Sequence, residues 1–338
     1  MSDKLSVNIR VENFGPFKYV GCGTVAMMLY EGLSGLGTLD VEMNSRRHDQ
    51  DVTHVHTLGP AAYYTKVRAK GVKILTAHST PSLNVNNLAG ASLINRMYKP
   101  LYGTYDHIIT ITADNEREIK EMLPDMPTTR IPSCVNMDKY RPDAEKRRAF
   151  REKYGFSDED TVILQVAQQT PRKGIYDFLD LADRLPDYKF MWIGGFPYGP
   201  ISEDRKAVEE RKKKAGKNVI FPGFVPDITG AYAGADVFLF PSYGDLMSIS
   251  ILEALSSGLP VLSRNLKEYK ELFPGVAALF EDISEVPDLL RDEENLRKAA
   301  SRARPSVEPY DIRKVAQMHA DLYARLSDEH KRKQADHS

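Results

Sequence analysis

Two acidic side chains lie eight residues apart in the most informative stretch of the chain, residues 232–262. Asp245 follows a short apolar run, Val237–Pro241, and Glu253 lies in an apolar segment that reaches Gly258. The run predicts a buried strand that ends at a proline, and the segment predicts a helix that ends at glycine. Because carboxylates accept hydrogen bonds from hydroxyl groups, this spacing indicates a site for a ligand rich in hydroxyls.

The start of the predicted helix also suits an anion. Backbone N–H groups near Met247, Ser248 and Ile249 would lack partners there, and the helix dipole places its positive end at the same point. A ligand with phosphates in the middle and sugars at both ends would satisfy the helix start and both carboxylates. A nucleotide-sugar has that chemistry.

A second motif, residues 166–174, follows an apolar strand and precedes a predicted helix. It contains Gln168, Arg172 and Lys173. Cations in a loop at the carboxyl end of a strand can neutralise a diphosphate as it leaves, which stabilises charge that grows in the transition state. Lys173 is the best candidate for this role, and Arg172 is a second one.

A third motif, Gly15–Thr24, follows the first predicted strand and opens the first helix. Its candidates are Gly21, Gly23 and Thr24. A dinucleotide-binding loop would show much the same glycine spacing, and a tight turn also favours glycine. No acid stands at a clear ribose-binding position on a second strand, which argues against a nicotinamide enzyme.

Histidines supply the remaining candidates in the first half. His78 ends a predicted strand, Lys73–His78, where its N–H could hold a sugar hydroxyl. His54 and His56 lie on another strand with the same-face spacing of a metal-binding pair. No third ligand is evident from the sequence, so we expect no metal site.

These motifs together resemble the retaining glycosyltransferases of family 4, which have the GT-B fold. The resemblance rests on a series of short segments between residues 235 and 261. In chain order these are Ala-Asp-Val-Phe, Pro-Ser, the acid Asp245, a spacer of seven residues, Glu-Ala-Leu beginning at Glu253, and Gly-Leu-Pro-Val. Weaker matches include the Lys-Gly pair at residues 173–174 and the stretch Asn218–Val225. The chain departs from the family pattern at Asp245, where glutamate is usual, and at Gln168, where arginine is usual.

The resemblance implies a role for each candidate. Glu253 would contact the ribose, Asp245 the transferred sugar, and Lys173 with Arg172 the diphosphate. The donor site would also include Gln168, Phe224 near the nucleotide base and the backbone of Met247, Ser248 and Ile249. The loop containing Gly21, Gly23 and Thr24 would close over the donor phosphates and the acceptor, and the acceptor would lie beside this loop and His78. The family implies no cofactor and no metal.

Composition limits the class of protein. The chain has 338 residues, 42% apolar and 28% charged, with a formal net charge of -1. These values are typical of a globular protein, and the charge gives no reason to expect nucleic acid as a partner. Two cysteines are too few for a disulfide framework. Because Met1–Lys4 lacks the core of a signal peptide, we expect a cytoplasmic protein.

Short apolar runs alternate with helical segments, which is typical of parallel α/β sheets. The pattern restarts after a charged stretch, residues 143–160, that contains a predicted helix, Ala144–Tyr154. We therefore expect an α/β chain with two Rossmann-like domains that face each other across a cleft. The predicted divisions are an acceptor domain (residues 1–158), a donor domain (159–310) and a C-terminal helix with a frayed tail (311–338).

The resulting expectation is a hexosyltransferase that moves a hexose from a UDP- or GDP-linked donor to a lipid, glycan or small molecule. Two alternatives stay open, namely a GT-B epimerase or phosphorylase and a nucleotide-sugar-binding protein without catalysis. A basic run of four residues, Lys66, Arg68, Lys70 and Lys73, leaves two interpretations. It is either a solvated helix end or a peripheral contact with an anionic membrane, and the solvated helix end is favoured.

Overall fold

The computed structural model describes residues 4–12, 21–84, 91–196, 202, 204–273 and 275–336. Its strands are β1 (Leu5–Arg10), β2 (Leu39–Met43), β3 (Val52–Val55), β4 (Val72–Thr76), β5 (His107–Thr110), β6 (Thr128–Arg130), β7 (Val162–Val166), β8 (Lys189–Ile193), β9 (Val219–Gly223), β10 (Val237–Phe240), β11 (Val261–Arg264) and β12 (Ala277–Phe280). Its α-helices are α1 (Gly21–Leu36), α2 (Pro60–Arg68), α3 (Pro81–Asn84), α4 (Ala91–Tyr102), α5 (Ala113–Met122), α6 (Ala144–Tyr154), α7 (Ile175–Arg184), α8 (Arg205–Lys213), α9 (Thr229–Gly234), α10 (Ile249–Ser256), α11 (Lys267–Leu272), α12 (Val286–Arg291), α13 (Glu293–Ser306) and α14 (Ile312–Ala335).

The chain folds into two compact units, and each contains a parallel six-stranded sheet. The first unit comprises Met1–Cys134 and Tyr310–Ser338, and the second comprises Val135–Pro309. The strand order is β2-β1-β3-β4-β5-β6 in the first sheet and β12-β11-β10-β7-β8-β9 in the second. All recorded strand pairs are parallel. The predicted α/β class with two Rossmann-like domains is confirmed.

Buried aromatic rings form much of the core of the second unit. Phe178 of α7 meets Phe190 and Trp192 of β8 edge-on, with centroids 5.3 and 5.0 Å apart. All three side chains are fully buried. Aromatic pairs of this geometry add to the stabilisation that apolar burial provides. The core fixes α7 against the sheet, and α7 directly follows the Lys173 motif.

The division between the units differs from the predicted one. The structure places it after Cys134, whereas the sequence analysis placed it after residue 158. Helix α6 belongs to the second unit because its cations pair with Asp236, at the start of β10. Arg147 Nη2 lies 2.7 Å and Arg151 Nη1 lies 3.1 Å from the Asp236 carboxylate. The charged stretch is therefore an integral part of the second unit and not a linker.

The C-terminal helix α14 belongs to the first unit, although the sequence analysis set it apart. Gly32 of α1 lets the two helices approach closely, because a Cβ at this position would lie 2.9 Å from Ile312 Cγ1 and 3.0 Å from Ala316 Cβ. Leu322, Tyr323 and Leu326 are buried on the same helix. Helix α14 continues to Ala335, so it includes most of the stretch that the sequence analysis described as a helix with a frayed tail.

Candidate functional site

The second sheet has its topological switch point between β7 and β10. Strand β8 lies on one side of β7, and β10 lies on the other. Open parallel sheets bind ligands at the carboxyl ends of strands at such a point. The loops that leave β7 and β10 carry the two motifs predicted from the sequence, so the topology brings residues 168–174 and 241–248 together.

A glycine sets how closely these two loops approach. Gly174 follows a 3₁₀ turn, Pro171–Lys173, and has a φ of +77°. A Cβ on Gly174 would lie only 2.4 Å from the carbonyl oxygen of Pro241, at the end of β10. Glycine is therefore required here for both its backbone conformation and its size. The contact holds Lys173 against the loop that carries Asp245.

Lys173 and Asp245 form an ion pair, in which Lys173 Nζ donates a hydrogen bond to Asp245 Oδ2. Both side chains are largely buried. Burial lowers the pKa of Lys173 from its ordinary value, and the negative charge of Asp245 acts in the opposite direction. The ammonium group also lies 5.5 Å from the centroid of the Phe240 ring. The structure thus brings together two residues that the sequence analysis assigned to one ligand.

Arg172 holds the loop that carries Asp245. Its Nη1 donates to the carbonyl oxygen of Gly244 at 2.6 Å. Its own carbonyl oxygen accepts from Tyr243 N at 2.8 Å and from Ser242 Oγ at 3.3 Å. These bonds join both sides of the switch point. The predicted contact of Arg172 with a diphosphate stays a prediction.

Glu253 is buried inside α10 and receives hydrogen bonds from tyrosines. Tyr232 OH donates to Glu253 Oε2 at 2.7 Å, and the Tyr140 side chain also bonds to the carboxylate. Desolvation raises the pKa of Glu253 to about 7, although both tyrosine hydrogen bonds act to lower it. The carboxylate is therefore held in one orientation.

The start of α10 follows Asp245 by four residues. Ser248 is the N-cap residue, and its side chain makes no capping hydrogen bond. Its hydroxyl instead lies 2.9 Å from Ser250 Oγ, which leaves the first-turn N–H groups without a bond from the Ser248 side chain. Met247 is buried and Ile249 is half-buried. This end of α10 suits an anionic group.

Two other predicted donor-site residues lie at the carboxyl ends of β7 and β9, which β8 separates. Gln168 is half-buried just after β7. Phe224 follows β9, the edge strand, and its side chain is 53% exposed. The structure does not bring Phe224 to the switch point itself.

The residues of this site fall in one recognised family of domains. The family model for glycosyl transferases group 1 matches residues 146–276, a range that contains Lys173, Asp245 and Glu253. The chain contains a glycosyl transferases group 1 domain. The family resemblance found in the sequence motifs is thereby confirmed.

Two curated relatives extend this similarity beyond the group 1 domain. The alpha-galactosylglucosyldiacylglycerol synthase of Streptococcus pneumoniae is 32% identical over 240 residues, which cover 67% of this chain and 63% of the relative. The processive diacylglycerol alpha-glucosyltransferase of Acholeplasma laidlawii is 28% identical over 72% of this chain and 75% of the relative. The matched region therefore spans less than two thirds of the streptococcal protein.

A solved structure with a similar fold covers both units. The crystal structure of Anabaena Alr3699/HepE in complex with UDP-glucose has a TM-score of 0.78 and 16% sequence identity. The match covers 95% of this chain and 100% of the Anabaena chain. At this identity the likeness shows the fold alone. The group 1 domain thus belongs to a chain with the two-domain GT-B fold.

The predicted acceptor-side histidine lies in the first unit, outside the matched group 1 range. His78 follows β4, and its Nε2 lies 2.9 Å from His56 Nδ1. Burial lowers the pKa of His78 to about 4 and holds that of His56 well below its ordinary value. His54 uses both ring nitrogens, one with Tyr323 OH at 2.6 Å and the other with Thr76 Oγ1 at 2.7 Å.

The loop residues Gly21, Gly23 and Thr24 open α1, as predicted. Gly23 is buried, whereas Gly21 and Thr24 are exposed. Most of the loop that precedes them, residues 13–20, lies outside the described residues. Cys22 and Cys134 are free thiols, and burial raises the pKa of Cys134 to about 12, which leaves it a poor nucleophile.

The described residues contain neither a metal-binding cluster nor a helix that could cross a membrane. No group of three or more histidine, cysteine, aspartate or glutamate side chains is placed to hold a metal ion. Within the same part of the chain, no helix is both long and apolar enough to cross a bilayer.

Sequence reasoning missed the tyrosines that hold Glu253. Tyr232 lies in α9, 21 residues before Glu253, and Tyr140 lies in a loop much earlier in the chain. Their rings meet edge-on with centroids 5.7 Å apart. A single sequence carries no signal for such a contact, because an isolated tyrosine is equally typical of a core position. Residue spacing alone identified the motif residues, but not the side chains that orient them.

Proposed function

We propose that the chain is a retaining hexosyltransferase that moves a hexose from a UDP- or GDP-linked donor to a diacylglycerol-type membrane lipid. The names of the two curated relatives, both of which concern diacylglycerol, support the acceptor class. The UDP-glucose held by the similar Anabaena structure supports the donor class. We further propose that the chain works in the cytoplasm at the surface of a membrane.

One observation carries the proposal. Lys173 and Asp245 form a largely buried ion pair at the switch point of the group 1 domain, four residues before α10 begins. A diphosphate at this point would meet the ammonium of Lys173 and the N-terminus of α10. Both would stabilise the negative charge that develops on the leaving nucleoside diphosphate. Asp245, released from Lys173, would accept hydrogen bonds from the hydroxyls of the transferred sugar.

Glu253 would hold the nucleoside part of the donor. Its carboxylate is already oriented by Tyr232 and Tyr140, so little rotational freedom would be lost when ribose hydroxyls donate to it. Ribose binding would also favour the ionised carboxylate, because hydrogen bonds donated to the charged form stabilise it. Donor binding would thereby lower the raised pKa of Glu253.

We assign no covalent intermediate to the reaction. The acceptor hydroxyl would attack the sugar on the face from which the diphosphate departs, and the bond to the diphosphate would break as the new glycosidic bond forms. The departing diphosphate would take the proton of the acceptor hydroxyl. His78 would hold a sugar hydroxyl through its N–H, since its low pKa keeps the ring neutral. The donor-side charge would be neutralised by Lys173 and α10, without a metal ion.

The test is transfer of a labelled hexose from UDP-glucose, UDP-galactose or GDP-mannose to diacylglycerol in detergent micelles. We expect a labelled glycolipid with one of the donors, unchanged turnover in EDTA, and loss of product in Lys173→Ala. The matched control is Lys217→Ala, which removes an exposed lysine of the same unit. Formation of an epimerised donor in a reaction that contains no acceptor would favour a GT-B epimerase. Binding of the nucleotide-sugar with no turnover would favour a binding protein without catalysis.

A further inference from the structure

Helix α2 is held firmly on its inner side. The carboxylate of Glu12 accepts hydrogen bonds from the backbone N–H groups of Ala61 and Ala62 at 2.7 and 3.1 Å. Lys66 also turns inward, where its Nζ donates to Thr104 Oγ1 at 2.5 Å and lies 4.6 Å from the Tyr63 ring centroid. Because Lys66 is 96% buried, it does not contribute to the basic surface expected from the sequence. These contacts fix which side of α2 faces solvent.

The outer side of α2 exposes three large side chains next to one another. Tyr63, Tyr64 and Val67 are 49%, 58% and 59% exposed. Positions three and four apart share one face of a helix, so the two rings and the valine form one patch. Contiguous apolar patches on a protein surface mark sites of interaction. We call this patch the α2 face.

Cations border the α2 face at its carboxyl end. Arg68 and Lys70 line a recess of about 400 Å³ together with His48 and Asp49. The Arg68 guanidinium lies 5.7 Å from the Tyr64 ring centroid, which joins the recess to the patch. Asp49 is already paired with Arg47 at 3.2 Å. Among the described residues, no salt bridge joins Arg68 or Lys70 to an acid, and both residues are exposed.

We propose that the α2 face binds the surface of an anionic phospholipid bilayer. The tyrosine rings and Val67 would enter the boundary between headgroups and acyl chains, where a ring with a polar tip is favoured. Arg68 and Lys70 would meet lipid phosphates at the same depth. Apolar insertion combined with basic attraction is the two-part signal of reversible membrane binding. This surface rests on the proposed function for its location at a membrane, whereas bilayer binding itself needs no sugar transfer.

The first experiment is co-sedimentation of the full chain with vesicles of phosphatidylcholine, with and without phosphatidylglycerol. We expect binding to the mixed vesicles, much weaker binding to phosphatidylcholine alone, and a decline of binding as salt rises because surface charges become screened. The measurement uses neither donor nor acceptor. A failure of the transferase proposal would therefore leave this result unaffected, and the converse holds as well.

Paired variants separate the basic part of the membrane-binding signal from its apolar part. Arg68→Gln with Lys70→Gln is expected to weaken binding to mixed vesicles roughly thirtyfold, whereas Lys214→Gln with Lys217→Gln, which removes two exposed lysines of the second unit, should not. Tyr63→Ser with Tyr64→Ser should weaken binding at every salt concentration. Its control is Met318→Ser, which removes an exposed apolar side chain from α14.

A fluorescent reporter locates the contact and does not depend on a loss of binding. Tyr64→Trp should shift its emission to shorter wavelength when mixed vesicles are added, whereas Met318→Trp should not. Equal binding by all variants, or a shift at residue 318 alone, would overturn the proposal. A change in oligomeric mass of the Tyr63→Ser, Tyr64→Ser protein with unchanged vesicle binding would show instead that the α2 face joins protein chains.

Discussion

At the scale of single residues, burial makes Glu253 costly to the unliganded protein. Its pKa rises to about 7 in the folded state, so the folded chain retains a proton that the unfolded chain releases. This carboxyl therefore lowers stability as pH rises from about 4.5 to 7, and the full cost is present above that range. The proposed contact with ribose would give this buried carboxyl a role other than stability.

The Glu253→Gln variant tests this cost. We expect it to be more stable than the natural chain by about 3 kcal/mol at pH 8, because glutamine still accepts from Tyr232 and has no charge to bury. The gain in the free energy of unfolding should vanish near pH 4.5. Fluorescence of Trp192, the one tryptophan of the chain, reports denaturant unfolding of this unit. A gain that is the same at both pH values would contradict the account.

Arg172 is expected to act by positioning Asp245. Arg172→Ala removes the bond to Gly244, and we expect kcat to fall roughly ten- to a hundredfold, since a hydrogen bond from a charged group contributes about 1.5–3 kcal/mol. The affinity for UDP, measured by calorimetry, should not change. Arg211→Ala is the control, because Arg211 pairs with Asp180 and Asp183 on the surface. Weaker UDP binding with unchanged kcat would place Arg172 on the diphosphate instead.

Spacing along the chain identified the acids, Lys173 and the helix start, because these motifs are local. The ion pair between Lys173 and Asp245 depends on β7 lying beside β10, which the sequence does not reveal. The hydrogen bond from Arg172 to the carbonyl oxygen of Gly244 depends on the same pairing of strands. Local motifs thus supplied the candidate residues, whereas their mutual contacts required the topology.

At the scale of elements, close packing of α1 on α14 ties the end of the chain to the first sheet. Gly32→Ala would place a methyl group within 3.0 Å of Ile312 Cγ1, so we expect a loss of about 1–3 kcal/mol. Gly35→Ala on the same helix meets no atom within 4 Å and should be neutral or stabilising. Thermal unfolding followed by circular dichroism compares the two. Equal effects would show that the helices have room to separate.

Strands were predicted well where they are buried on both faces. The predicted strands Val237–Pro241 and Lys73–His78 overlap the central strands β10 and β4, and helix Ala144–Tyr154 agrees with α6. The two missed strands, β2 and β12, are both edge strands. In β2 two acids interrupt the apolar residues, so this strand lacks the continuous apolar signal of a central strand.

At the scale of the whole molecule, the position of the boundary decides which fragment can fold alone. Residues 135–309 retain α6, with the cations that meet Asp236, and Tyr140, which holds Glu253. Residues 159–310, the donor domain predicted from sequence, lack all of these. We expect the longer fragment to unfold cooperatively and bind UDP, and the shorter one to do neither. Equal behaviour of both fragments in calorimetry would contradict this assignment.

The boundary could not be predicted because charge alone is ambiguous. A polar stretch between two sets of strands is typical of a linker, and residues 143–160 fit that pattern. Arg151 is nevertheless buried. Its guanidinium donates hydrogen bonds to the carboxylate of Asp236 and to the carbonyl oxygens of Ser157, Asp160 and Gly234. Only the packing of α6 on α9 distinguishes such an arginine from one in solvent.

The anomeric configuration of the product tests the central claim most directly. The donor that gives product is incubated with diacylglycerol, and the glycolipid is examined by proton NMR, with Lys173→Ala as the matched control. We predict a glycolipid in which the sugar keeps the α configuration of its nucleotide donor, and none from the variant. A β-linked product would contradict retention. Release of free hexose alone, with no glycolipid from any donor, would contradict the assignment as a transferase.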